Sequence, residues 1–271
     1  MFGKLLKYEF KAVGKWYLGL YAAAGLLSVV LGLWIQNIVH RPERTISDTE
    51  IGASFANTLE GILFGAIIIG FAVIIAGLFL STFFLIIKRF RKNVYGRQGY
   101  LTMTLPVTNH QIILSKLTAA FIWSTLSGIA TILCLWLISY ISFGALLNEY
   151  IPEITAAFNE AYHEFTGMDF GISYAITLIV GTIHSILLIY FAISLGQLFK
   201  DHRTLLAVVF YFGINFVEGL ISAIFAISTG VLANSTPLAI HTILGIIISI
   251  ILAIGYYFGT YYIMTKKLNL Q

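Results

Sequence analysis

GILFGAIIIGFAVIIAGLFLSTFFLII, residues 61–87, carries no ionisable side chain over 27 positions. An α-helix rises 1.5 Å per residue, so about 20 residues cross a hydrocarbon core roughly 30 Å thick. A helix also satisfies its backbone donors and acceptors internally, which lipid demands of any segment it surrounds. The run therefore reads as a membrane-spanning helix. Five more apolar runs of similar length surround it, at about 16–38, 117–146, 172–199, 205–231 and 238–264. Across all 271 residues, 59% are hydrophobic and only 10% charged, and the mean hydropathy is +0.91, far from an ordinary soluble domain. The roughly ten-residue alternating segments of a membrane β-barrel are not found. The expected fold is an all-α integral membrane protein, one six-helix transmembrane domain over residues 1–271.

Basic residues set the orientation. Four precede the first run (Lys4, Lys7, Lys11, Lys15), six border the second connection (Lys88, Arg89, Arg91, Lys92, Arg97, Lys116), two lie in the fourth (Lys200, Arg203) and two near the end (Lys266, Lys267). The third connection holds Glu149, Glu153, Glu160, Glu164 and Asp169 without a base. Lys and Arg are retained on the cytoplasmic side, so both termini and the second and fourth connections are expected there. The net charge of +4 then reflects topology and attraction to an anionic inner leaflet. No basic soluble domain exists to bind nucleic acid. The first run is too long for a signal peptide and lacks an Ala-x-Ala cleavage site, so it is expected to stay as a helix. The single cysteine, Cys134, excludes a disulfide within one chain.

Two amphipathic segments lie beside the spans. At 100° per residue, Lys4, Lys7, Lys11 and Lys15 share an arc of about 80°, opposite Leu6, Phe10, Val13 and Tyr17, which predicts an inner-surface anchor or elbow helix. On the outer side, 152–165 predicts a second such helix, with Pro152 in its first turn and Gly167 as its stop. The Asn234-Ser235-Thr236 sequon is assigned no role.

Between the second and third spans stands GRQGYLTMTLPVTNHQIILSK, residues 96–116. Gly96 and Gly99 allow a turn, Tyr100, Leu101, Met103 and Leu105 supply apolar surface, and Pro106 ends any helix begun there. Thr108 and Gln111 have capping-box spacing, so a new helix starts near Thr108. The segment reads as helix, break, helix, where a plain connection needs only about four residues.

Gly99-Tyr100-Leu101, then Pro106-Val107-Thr108, then Lys116-Leu117 resembles the cytoplasmic element of type-2 ATP-binding-cassette exporter permeases. The close likeness covers about thirty residues, 88–117. In that family this element is a coupling helix seated in a groove of the ATPase. The resemblance implies a bacterial plasma-membrane location and six spans with both termini inside. It also implies coupling through 96–106 to a separate ATPase subunit that carries ATP and Mg, and a second permease subunit, either the same chain or a paralogue. This sequence departs from the pattern at Arg97-Gln98, where an acidic residue is common, and in the short 233–237 connection, where re-entrant helices are usual.

Nothing in the chain predicts an enzyme or a bound cofactor. There is no G-x-x-x-x-G-K-[ST] phosphate loop, His163-Glu164 lacks the second histidine of a zinc-protease helix, and Ser127-Gly128 has no base within sequence reach. Glu218 is the one acid inside a span and is expected to face protein or water, since a charge at mid-membrane costs about 2.5–3.5 kcal/mol. His184 lies at comparable depth and is a candidate partner, as is Asn215, one turn from Glu218. These three are the candidate pathway residues. Gly61/Gly65 and Gly255/Gly259 have the spacing of close helix contacts, and the rings at 256–262 suit in part an interface belt, with a cargo entrance lined by some of them as the alternative.

The reading that follows is the permease subunit of an ATP-driven exporter, in contact with membrane lipids, for an antimicrobial peptide, lipid or drug. An ATP-independent secondary transporter or channel using Glu218, and a sensor or scaffold subunit, are the alternatives.

Overall fold

A computed structural model describes residues 2–39, 50–96, 107–165, 170–199, 201–228 and 238–267, and every regular element among them is helical. In order they are α1 (Phe2–Val39), α2 (Glu50–Phe90), a π-helical turn (Arg91–Tyr95), α3 (Asn109–Phe165), α4 (Phe170–Gly196), α5 (Arg203–Ser228) and α6 (Leu238–Lys266). Six helices are long and apolar enough to cross a membrane, so this is a multi-pass membrane protein. The residues expected to form a coupling helix, Gly99, Tyr100, Leu101, Met103, Leu105 and Pro106, lie outside the described residues.

Two expected boundaries differ. The basic N-terminal segment is continuous with the first span: α1 runs unbroken through Lys15 and Trp16. Gly14 is carried within it, where a Cβ would lie 3.8 Å from the Trp123 ring. The amphipathic pattern still holds, with Lys4, Lys7, Lys11 and Lys15 exposed and Val13 and Tyr17 buried. In α3 the break falls at Phe143 (φ −128°, ψ 15°), and helix resumes before Pro152, which stands inside it. Proline removes one i→i−4 bond, and here the turns on either side carry the helix past it.

Other local signals act as expected. Thr108 Oγ1 accepts the Gln111 amide at 3.3 Å and caps α3, satisfying one orphan donor. After the π-helical turn, Gly96 N donates to Arg91 O at 3.0 Å. A Cβ at Gly96 would lie 2.7 Å from the Lys92 carbonyl oxygen, so only glycine fits this tight exit.

The described helices pack as two compact units. In the unit of residues 10–82 and 123–156, Tyr17 stacks on Trp123 at 4.3 Å. There Ser142 Oγ donates to Gly32 O at 3.2 Å, and Ser127 bonds Tyr21 and Thr82. Small residues and hydroxyls let helices approach closely where lipid provides no hydrophobic drive between them.

The other unit comprises residues 1–9, 83–122 and 157–271. Its core gathers Phe90, Val94 and Tyr95 with Ile112 and Ile113 of α3, Tyr190 of α4 and Met264 of α6. Phe90 stacks on Tyr190 at 4.0 Å, worth about 0.5–1.5 kcal/mol beyond area burial. Helices α4, α5 and α6 belong wholly to this unit. Of the six spans α4 is the most enclosed, whereas α5 has no buried residue. Phe212, Phe216 and Ile224 are largely exposed, a surface that lipid accepts and water would not.

Candidate functional site

Two polar clusters occupy the second unit described above, and each is organised by one carboxylate. In the first, Glu218 of α5 meets His184 of α4, whose Nε2 lies 3.2 Å from Glu218 Oε1. Tyr256 of α6 donates its hydroxyl to the same oxygen. All three residues fall in the middle third of their helices. His184 also tilts against the Tyr256 ring, with centroids 5.6 Å apart. Glu218 Oε2 takes no hydrogen bond from any described residue.

Beside this trio lies a cavity of about 670 Å³ between α4, α5 and α6, within the range of small-molecule sites. Phe210, Ile214, Ile221 and Phe225 line one side and Ile248 and Leu252 another. The trio supplies all its titratable side chains.

Asn215 does not join them. Its Nδ2 donates to Tyr211 O at 2.8 Å and the side chain is exposed. An asparagine in a helix finds the i−4 carbonyl of its own turn, while Glu218 reaches across to two other helices. Tyr256, which an interface belt would have left at the surface, is instead buried; periodicity alone does not say which ring of an aromatic run carries the inward hydroxyl.

The second cluster centres on Glu9. Its carboxylate binds Lys116 Nζ at 2.9 Å and the Arg89 guanidinium, with Asn93 Nδ2 at 3.4 Å. Lys116 is only 6% exposed and Glu9 13%. No motif singles out Glu9; the signal is that it is the sole acid in the first 42 residues, amid four lysines. The cluster ties α1 to the end of α2 and the start of α3, the two roots of the 97–106 connection.

Further contacts hold the same roots. Tyr95 donates to Ser194 Oγ at 2.8 Å, and both side chains are buried. His110 Nδ1 lies 2.6 Å from the Tyr257 hydroxyl and its ring stacks on Tyr261 at 4.0 Å. Gly196 closes the α4–α5 turn: a Cβ there would lie 2.6 Å from Arg203 O. Of the four glycines with close-contact spacing, Gly259 alone packs tightly, its would-be Cβ 2.5 Å from the Phe191 ring.

No protein-family model, curated protein or solved structure matches the chain.

Proposed function

We propose that this chain is the membrane permease subunit of an ATP-driven exporter in a bacterial plasma membrane, coupled through residues 96–106 to a separate ATPase. The observation that carries the reading is mechanical. Both roots of that connection are locked into one core, through Glu9 to α1, through Phe90 and Tyr95 to α4, and through His110 to α6. A push on the connection would be passed to those helices instead of dissipating in a loose loop. Packed cores rearrange between discrete arrangements and do not deform continuously.

The sequence pattern 99–117 supplies the second support, and in this reading ATP and Mg are bound by the partner ATPase. A second permease subunit completes the pathway in this reading. The exposed apolar face of α5 has room for lipid or for that subunit.

A second reading is favoured by the Glu218 cluster: an ATP-independent transporter in which this carboxylate binds the coupling ion. Purification of the tagged chain from its native membranes separates the two. Co-purification of an ATPase chain, lost in Tyr100→Asp/Leu101→Asp while membrane insertion persists, is the expected result. Transport that continues without ATP or any ATPase would select the second reading.

A further inference from the structure

The α4–α5–α6 cavity joins three features that together specify a ligand: an apolar wall, aromatic rings, and one carboxylate with an unengaged oxygen. We propose that it is a binding site for a monovalent lipophilic cation, a bulky apolar molecule carrying one positive charge. This names the cargo class of the transporter proposed above, and rests on that reading only in calling the bound ion cargo.

Charge complementarity selects the occupant. Glu218 is flanked by a tyrosine hydroxyl and a histidine, and among the described residues no Lys or Arg lines the cavity. A carboxylate within an apolar wall is costly unless a positive partner arrives. The trio leaves that place open: His184 and Tyr256 converge on Oε1, and Oε2 is without a bond from any described residue. Among the described residues Glu218 is the only acidic side chain that lines the cavity.

Shape agrees. About 670 Å³ holds a molecule of drug size, and Phe210, Phe225 and Tyr256 are among the lining residues; a cation over an aromatic ring gains about 0.5–2 kcal/mol. Two helix-interior glycines, Gly213 and Gly245, keep the volume open: a Cβ at either meets no other atom within 4 Å. A side chain placed there therefore enters free space, which makes the cavity fillable without touching Glu218.

The test uses the full-length chain in nanodiscs of zwitterionic lipid, with empty nanodiscs subtracted. Tetraphenylphosphonium is titrated in parallel with tetraphenylborate, its size-matched anion. Saturable binding of the phosphonium, with no saturable binding of the borate, is expected. Glu218→Gln should weaken the phosphonium by about tenfold or more, and Gly213→Leu should abolish saturable binding with the carboxylate trio intact. Circular dichroism and gel filtration establish that each variant is folded. If Glu218→Gln fails to fold, Gly213→Leu and the cation–anion comparison decide.

Equal binding of both ions marks a plain acyl-chain groove and overturns the proposal. So does binding of neither, as when a second copy covers the groove, or phosphonium binding unchanged in both variants. No ATPase enters this measurement, so its failure leaves the coupling reading standing, and loss of the coupling reading leaves the site standing.

Discussion

Glu9 and Glu218 are both carboxylates at helix contacts, yet they are surrounded in opposite ways. Glu9 is met by two full positive charges, Arg89 and Lys116, and nothing about it is left open. Glu218 is met by a hydroxyl and an imidazole on a single oxygen, beside a cavity. The first arrangement is a strut, in which each charge needs the other. The second can accept something more. On the reading proposed above, the contrast divides this unit into a part that transmits force and a part that binds.

Five single substitutions probe that division, in falling order of effect. Glu9→Gln strands Lys116, 6% exposed, beside Arg89 without a counter-charge. Breaking a buried pair from one side costs about 3–5 kcal/mol, so the detergent-solubilised protein should unfold at markedly lower temperature. Pairing it with Lys116→Met should restore part of the loss, and an unchanged Tm in the single variant would break the comparison at its stronger end.

Gly196→Ala should come next. Its methyl would press on Arg203 O and Ala207, and overpacking of this kind costs about 1–3 kcal/mol. Gly213→Ala, with open space around it, should lose nothing and gain up to about 1 kcal/mol of helix propensity. Thermal melts of the two side by side sharpen the distinction between the closed α4–α5 turn and the open cavity.

Thr108→Ala removes the cap at the root of α3 and should cost about 1 kcal/mol, read as faster amide exchange at residues 109–112. Smallest of all is the stability effect of Glu218→Gln. The amide oxygen can still accept from Tyr256 and His184, so the change should stay within about 1 kcal/mol while transport falls. A large drop in Tm here would make Glu218 a second strut and erase the contrast.

The spans were legible because uncharged runs of twenty or more residues have one stable form in lipid. Thr108 and Gly96 were legible because capping and tight exit are local chemistry. His184 and Glu218 could be paired by depth, since two ionisable groups inside a membrane seek partners. What stayed hidden depends on long-range packing. Glu9 lies among the four lysines in sequence but across the helix from their stripe, and only the approach of α2 and α3 makes it the hub of a buried network. Asn215 shares a helix with Glu218, but spacing cannot say that its amide turns back to Tyr211.

Residue 101 gives the most direct test of the central claim, that force enters through the connection between α2 and α3. The lone native thiol, Cys134, is buried, so Leu101→Cys offers a single accessible attachment point for a short thiol-to-amine crosslinker in native membranes. The account predicts one dominant adduct, to a protein containing a nucleotide-binding site, with less of it when nucleotide is withheld. Labelling of residue 101 with no protein attached, or an adduct only to a protein lacking such a site, would contradict it.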